Sequence, residues 1–124
     1  MESKVFGQVL FNYGFDRQDN LIFWNKVYNI NISAAAYFEK DGIYKNQEDS
    51  FLKYKGSEMQ YISKAEQLLI DYIRMQVGAQ GSLQSICAQY TPRTLRFDRN
   101  GQCVILIDDS KDPDGGLAVL LFPD

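Results

Sequence analysis

The segment RTLRFDRNGQCVILID, at positions 93–108, predicts a β-hairpin that includes a central strand of the fold. Two strand-like stretches flank Asn100-Gly101, which is the strongest hairpin signal that a short sequence offers. We expect Arg99 to pair with Gln102 across the turn. This register sets Phe97 opposite Val104, Leu95 opposite Leu106 and Arg93 opposite Asp108. Residues 103–107 are apolar on both faces, which predicts a central strand of a sheet.

A second hairpin is predicted earlier in the chain, around Asn25-Lys26. Strands over residues 21–24 and 27–33 flank this pair, and Phe23 then faces Tyr28 while Leu21 faces Ile30. The later strand alternates, with Tyr28, Ile30 and Ile32 on one face and Asn29, Asn31 and Ser33 on the other. This alternation is typical of a strand with one face in water.

A long helical segment, roughly residues 45–77, separates the two hairpins. Its apolar stripe comprises Phe51, Met59, Ile62, Ala65, Leu69 and Ile73. This spacing indicates a helix that packs one face against a core. Gly56-Ser57 interrupts the stripe, so we expect a broken helix, with Ser57 capping its second part. Gly78 to Gly81 should end the helix, and the ten residues after them show no clear pattern.

The remaining segments complete the predicted sheet. Residues 5–11 and 117–122 are predicted as strands, and residues 12–20 and 109–116 as loops rich in Asn, Asp and Gly. We therefore predict a single domain over residues 1–124, of class α+β. Its largely antiparallel sheet of five to six strands should carry the long, broken helix on one face.

The composition narrows the classes of function. The chain has 124 residues, no histidine and a net charge of −3. Histidine is the commonest general base and metal ligand, so its absence argues against catalysis. Nucleic-acid binding needs a basic face, whereas an acidic balance favours a cationic protein partner. The N-terminus lacks the apolar segment of a secretion signal, and the longest apolar run, residues 117–122, is too short to cross a bilayer. We expect a soluble, cytoplasmic protein.

The two cysteines, Cys87 and Cys103, have no second Cys or His near them in sequence and form no metal motif. We expect two buried, reduced thiols, with a disulfide as the alternative. No serine or cysteine has the histidine partner that activates a nucleophile. The sequence therefore predicts no enzyme, no metal site and no cofactor.

The densest group of charges follows the predicted central strand, and it has three interpretations. Asp108, Ser110 and Asp112 begin like an EF-hand calcium loop, but Pro113 stands where that loop needs glycine. The aspartates could instead anchor a cationic partner, or form a solvated turn, since turns favour Asp, Pro and Gly. Adjacent Asp108 and Asp109 point to opposite faces of a strand end, so they cannot form a catalytic dyad.

Two aromatic residues are candidates for contacts with a partner. Trp24 lies on the face opposite Phe23 in the predicted hairpin, and tryptophan is enriched among binding hot spots. Packing at the edge of the core is the alternative role for Trp24. Tyr44 lies off the helical stripe, and an exposed tyrosine near acidic side chains suits recognition of a basic protein.

Two groups of segments carry a family resemblance. The first is FWNKVYNINI at 23–32, followed by Asp41-Gly42-Ile43, Gln47 and Phe51; the second is LRFDRNG at 95–101, then Leu106-Ile107-Asp108-Asp109 and GGLAV at 115–119. Together they resemble a family of small bacterial proteins found among the immunity proteins of polymorphic and contact-dependent growth inhibition toxin systems. The chain departs from the family pattern in the acidic loop, where Ser110-Lys111 replaces an expected tryptophan.

The resemblance implies stoichiometric neutralisation of one cognate toxin domain. Our leading hypothesis is an immunity protein that masks a basic, nuclease-type toxin by steric and electrostatic means. The alternative is a small-molecule-binding or regulatory module without catalytic activity. The candidate toxin-binding residues are Asp108, Asp109, Asp112, Asp114, Trp24 and Tyr44. We expect neither nucleic acid nor a membrane as a partner, and the oligomeric state is left open.

Overall fold

A six-stranded sheet forms the centre of the computed structural model, which describes residues 1–77 and 82–123. The strands are β1 (Glu2–Ser3), β2 (Gly7–Gln8), β3 (Leu10–Phe11), β4 (Gly14–Phe23), β5 (Lys26–Ala35), β6 (Tyr90–Phe97), β7 (Cys103–Asp109) and β8 (Asp112–Phe122). β1 and β2 pair with each other, and the others form one sheet in the order β3-β4-β5-β6-β7-β8. Neighbouring strands are antiparallel except β5 and β6, which run parallel. The predicted α+β class is confirmed.

Three helices connect β5 to β6. They are α1 (Lys45–Gly56), α2 (Glu58–Val77) and α3 (Leu83–Gln89), and a 3₁₀ turn at Glu39–Asp41 precedes them. The predicted break at Gly56-Ser57 is confirmed: Ser57 lies between α1 and α2, and its carbonyl accepts a hydrogen bond from the Tyr61 N–H. The sequence did not predict α3, whose first turn is capped by the Ser82 hydroxyl. The predicted helix end at Gly78 to Gly81 lies outside the described residues.

The apolar stripe of the helices packs on the sheet as predicted, apart from Met59. Phe51, Ile62, Ala65, Leu69 and Ile73 are buried in the same cluster as the inner face of the sheet. Met59 is 66% exposed, so its assignment to the stripe was wrong. Met59 is the second residue of α2, so it lies at the end of the stripe, where the first helical turn leaves it in solvent.

The N-terminal third departs most from the sequence prediction. The predicted loop at 12–20 is wrong, since β4 starts at Gly14 and pairs with β5 along its whole length. The predicted strand at 5–11 is also wrong, because only the short β2 and β3 form there. The polar residues of β4 include Arg17 and Asp19, which lie two positions apart and form an ion pair at 2.8 Å. Backbone pairing with β5 overrides the loop-like composition.

The first hairpin turns one position earlier than predicted. Trp24 and Asn25 form the turn, with φ angles of 53° and 59°, so Phe23 pairs with Lys26 and Leu21 with Tyr28. The predicted register was therefore displaced by two residues. A displacement of two keeps every side chain on its face. Ile30 and Ile32 are accordingly buried, as the alternation predicted.

The second hairpin forms around Asn100-Gly101, but with a three-residue loop. Asp98 and Gln102 close the loop through a 2.8 Å backbone hydrogen bond, and Gly101 has a φ of 91°. Phe97 pairs with Cys103 and not with Val104, so the predicted register was wrong by one residue. A type I turn followed by a left-handed glycine explains the difference. β7 is central in the sheet, as predicted.

The acidic stretch is a hairpin and not the predicted eight-residue loop. β7 extends to Asp109 and β8 begins at Asp112, with Ser110-Lys111 as the turn. Asp108 pairs with Gly116, which leaves residues 113–115 as a bulge in β8. A bulge lets a strand continue through Pro113, whose lack of an N–H would otherwise interrupt the ladder.

Candidate functional site

The six predicted binding residues lie at opposite ends of the sheet. β5 and β6 run in the same direction, so their first residues mark one end and their last residues the other. Trp24 and the four aspartates lie at the first end, around Tyr90. Tyr44 lies at the second end, where it contacts Arg99 just beyond β6. Eight residues of strand separate the two ends by about 25 Å. We call the first group the acidic end.

Trp24 connects the first hairpin to the rest of the fold. Its backbone N–H donates to Glu66 Oε2 at 2.6 Å, and its indole N–H donates to the Tyr90 carbonyl at 2.7 Å. The ring packs edge-on against Phe23, with the centroids 4.7 Å apart. These contacts account for its left-handed backbone, since the turn places the indole where it bonds to β6. Trp24 therefore has a structural role, which was the alternative interpretation.

Two of the four aspartates are engaged within the fold. Asp108 forms an ion pair with Arg93 at 3.0 Å. Asp109 Oδ1 accepts hydrogen bonds from the Gln89 side chain and the Lys111 backbone N–H, at 2.8 and 2.9 Å. Asp112 and Asp114 are exposed. In the described ranges 1–77 and 82–123, no three Asp, Glu or Cys side chains converge in a way that could hold a metal ion.

The second end of the sheet exposes a group of aromatic side chains. Tyr13 is 91% exposed, Tyr37 85%, Phe38 62% and Tyr44 42%. We call these four residues and Arg99 the aromatic end. Sequence reasoning identified Tyr44 and missed the others. One signal was available, because Tyr37-Phe38 follows directly after the alternating pattern of β5, where an aromatic pair has no core to fill.

Arg99 holds the aromatic end together. Its guanidinium carbon lies 4.5 Å from the ring centre of Tyr44 and 5.5 Å from that of Tyr37. Its nitrogens donate to the Tyr44 hydroxyl at 2.8 Å and to Asp41 at 3.3 Å. An arginine fixed by several partners orders its neighbouring rings in advance, which reduces the entropy lost when a partner binds.

Tyr13 has a strained backbone conformation, and no hydrogen bond of its side chain within the described residues explains the strain. It lies at the apex of the turn between β3 and β4, with a φ of 60°, and the Asn12 N–H donates to the Gly14 carbonyl around it. A left-handed backbone costs a residue other than glycine about 1 kcal/mol. Trp24 has the same backbone geometry and makes two hydrogen bonds. Within the described ranges, no residue bonds to the side chain of Tyr13.

A shallow cavity of about 740 Å³ opens at the aromatic end. Its lining comprises Tyr13, Ala35, Ala36, Tyr37, Arg96, Asp98, Arg99 and Asn100. Arg96 and Asp98 neutralise each other through a contact of 2.7 Å on its floor. The cavity thus combines aromatic walls with hydrogen-bonding groups of both signs, a combination that suits a protruding side chain or loop of a protein.

Neither cysteine sits in an activating environment. Cys103 is buried, Cys87 is half-buried, and both sulfurs are free. Burial raises the pKa of the Cys103 thiol far above its usual value. Burial and then the nearby Glu66 carboxylate raise the pKa of the Cys87 thiol. A raised thiol pKa disfavours the thiolate, which is the reactive form.

Comparison of the chain with models of known families, with curated proteins and with solved structures finds no match in any of the three. Across residues 1–77 and 82–123, no helix combines the length and the apolar character needed to cross a membrane.

Proposed function

We propose that this protein is an immunity protein, which binds a cognate toxin domain with fixed stoichiometry and blocks it without catalysis. The observation that carries the proposal is Tyr13, held in a strained backbone at 91% exposure beside the equally exposed Tyr37. Backbone strain that no contact within the fold explains is typical of a binding position. Tyrosine and arginine are the residue types that contribute most to protein interfaces.

The aromatic end has the features of an interface centre. Arg99 lies over the rings of Tyr37 and Tyr44, and four charged side chains there pair internally, Arg96 with Asp98 and Arg99 with Asp41. Interface centres are poor in uncompensated charge and rich in aromatic residues. The aromatic end would supply affinity by burying its rings in pockets of the toxin.

The acidic end would contribute to the rate of encounter. Asp112 and Asp114 are exposed and carry no ion pair within the described residues, and the whole chain has a net charge of −3. Such charges speed the approach of a cationic partner and add little to the lifetime of the complex. A basic, nuclease-type toxin is the partner that this charge favours.

Co-expression with the C-terminal domain of the protein encoded immediately upstream tests the proposal. We expect a stable complex, in which Tyr37→Ala and Arg99→Lys each raise the dissociation constant by about tenfold or more. Arg99→Lys keeps the charge and loses the planar fork. Leu83→Ala is the control, since Leu83 is 50% exposed on α3 and lies beside Trp24, at the opposite end of the sheet. A complex that tolerates both changes at the aromatic end would refute the assignment of this surface.

The alternative function, a small-molecule-binding module, has one supporting observation. The cavity of about 740 Å³ is large enough for a metabolite, and Arg96, Arg99 and Asn100 offer it polar contacts. Native mass spectrometry of the freshly purified protein separates the two functions. A bound small molecule that is lost in Arg99→Lys would favour the alternative, and a bare chain that binds the toxin domain would favour the immunity function.

A further inference from the structure

The edge strand β8 is open to pairing with another chain. β8 ends the sheet, and no strand in the described residues pairs along its outer side. Residues 115–122 of this strand contain no ionisable group. Exposed strand edges are usually protected by lysine, proline or a bulge, because their free N–H and C=O groups recruit other strands. Here Pro113 and the bulge at 113–115 interrupt the start of β8, a register shift at Leu121 interrupts its end, and 116–120 remain regular and available.

An apolar groove runs beside this edge. It has a volume of about 420 Å³ and lies between α2 and β8. Leu68 and Tyr72 form its helical wall, with 44% and 48% of their surfaces exposed. Leu117 and Val119 form its strand wall and are half-buried. A strand added to β8 would place its own inward side chains over this groove, so backbone pairing and apolar burial would occur together.

We propose that β8 pairs antiparallel with β8 of a second copy of this chain, joining two sheets into one about a two-fold axis. A two-fold axis brings the same strand of both copies together, with the two strands running in opposite directions. β8 of one copy can therefore pair with β8 of the other. The Leu117 and Val119 side chains of each copy then cover the groove that Leu68 and Tyr72 line in the other.

Opposite charges at the two ends of β8 favour a second copy as the occupant. Chains with a net charge of −3 repel each other, and the uncharged run 115–122 is where two copies approach with least repulsion. Asp112 and Asp114 flank the first end of β8, and the exposed Lys53 lies over the Phe122 ring at the other end, 4.5 Å from its centre. Antiparallel pairing brings the aspartates of each copy towards Lys53 of the other, twice in the dimer.

Sedimentation equilibrium of the purified full chain, over a concentration series, tests the proposal. We expect a reversible monomer–dimer equilibrium. Ala118 is exposed in the middle of β8, so Ala118→Lys places like charges across the two-fold axis and should raise the dissociation constant at least about tenfold. Val27→Lys is the matched control, because Val27 is 68% exposed on β5, far from β8. Thermal unfolding should show that both variants remain folded.

A charge reversal tests the antiparallel direction. Lys53→Glu should weaken the dimer, and adding Asp114→Lys to it should restore the dimer. Hydrogen exchange gives an independent readout: backbone amides in 116–120 should become protected as the protein concentration rises. A chain that stays monomeric throughout the series, or a dimer that Ala118→Lys leaves intact, would overturn the proposal. Loss of the dimer in Ala118→Lys with normal toxin binding would show that the two surfaces are separate.

Discussion

The side-chain amide of Gln47 donates a hydrogen bond of 2.8 Å to the carbonyl oxygen of Ala35, the last residue of β5. The same nitrogen donates to the carbonyl of Phe97, the last residue of β6, at 2.9 Å. The Gln47 carbonyl oxygen accepts the Tyr44 N–H at 2.8 Å at the start of α1. One fully buried side chain therefore joins the ends of the two parallel strands to the helix that Tyr44 precedes. It thereby fixes the positions of Tyr37, Arg99 and Tyr44 relative to one another at the aromatic end.

Replacing Gln47 should destabilise the fold severely. Gln47→Leu removes the Gln47 partner of the Phe97 carbonyl and of the Tyr44 N–H, and leaves the Ala35 carbonyl with only the 3.4 Å bond from Arg99. Each buried unsatisfied group costs about 1–3 kcal/mol. We expect the free energy of unfolding in urea to fall by about 3 kcal/mol or more. Gln67→Leu is the control, because among the described residues Gln67 bonds only to Asp71 on the surface of α2. An equal effect of the two changes would contradict the role assigned to Gln47.

Tyr13 should show opposite effects on stability and on binding. Asn tolerates the left-handed backbone that strains a tyrosine, so Tyr13→Asn should raise the free energy of unfolding by up to about 1 kcal/mol. The same change removes an exposed aromatic ring and should weaken binding of the proposed toxin partner. Trp24→Asn is the contrasting variant: it loses the bond to Tyr90 and should lower stability. A Tyr13→Asn protein with unaltered melting temperature and unaltered affinity would remove the argument from strain.

Replacing Gly101 by a residue with a side chain should destabilise the fold, although there is space for a side chain at this position. Its φ is 91°, and the nearest atom to an added Cβ is Ser50 Oγ at 3.5 Å. The cost of Gly101→Val is therefore conformational, about 2 kcal/mol, and would appear as a lower melting temperature. Gly56 has open space at the end of α1, and Gly56→Ala should stabilise by about 0.5 kcal/mol. Equal melting temperatures for Gly101→Val and the parent protein would contradict the loop geometry.

Stability should decline at alkaline pH. Burial raises the pKa of the Cys103 thiol, and burial together with the Glu58 carboxylate raises the pKa of the Tyr54 hydroxyl. The folded state keeps both protons, whereas the unfolded chain releases them near the ordinary values of about 8.5 and 10. The unfolded state then binds fewer protons, so the free energy of unfolding falls as pH rises above about 8.5.

Urea unfolding between neutral and alkaline pH measures this decline. Cys103→Val keeps the packing and removes the thiol, and should delay the decline until the tyrosine titrates. Thiol labelling offers a second check, since half-buried Cys87 should react with a soluble disulfide reagent before buried Cys103 does. A urea midpoint that stays constant from neutral pH to about pH 11 would contradict the burial of these two groups.

The sequence predicted features that depend on neighbouring residues. Helical spacing located α1 and α2, and glycine followed by serine located the break at Gly56-Ser57. Alternation identified the inner face of β5, and an unbroken apolar run identified β7 as central. Asn100-Gly101 marked a hairpin, but loops of two and three residues share that signal. The register therefore came out wrong by one position.

The sequence did not predict features that depend on distant partners. Residues 14–20 have the composition of a loop, and they form a strand because β5 lies beside them. Asp112 likewise joins β8 because it pairs with Asp109 of β7. Strand pairing joins segments that are far apart in the chain, so the composition of one segment cannot predict its partner.

The amino-acid sequence by itself determined the class of the fold, the broken helix, the central strand and the acidic balance, because periodicity and charge are local properties. The tertiary structure alone decided which exposed side chains meet. It separated Trp24 and the aspartates from Tyr44, and it brought Tyr13, Tyr37 and Arg99 together from three different strand ends. The physical reason for this grouping is the parallel pairing of β5 with β6. It places at one end of the sheet residues that lie more than sixty positions apart in the chain.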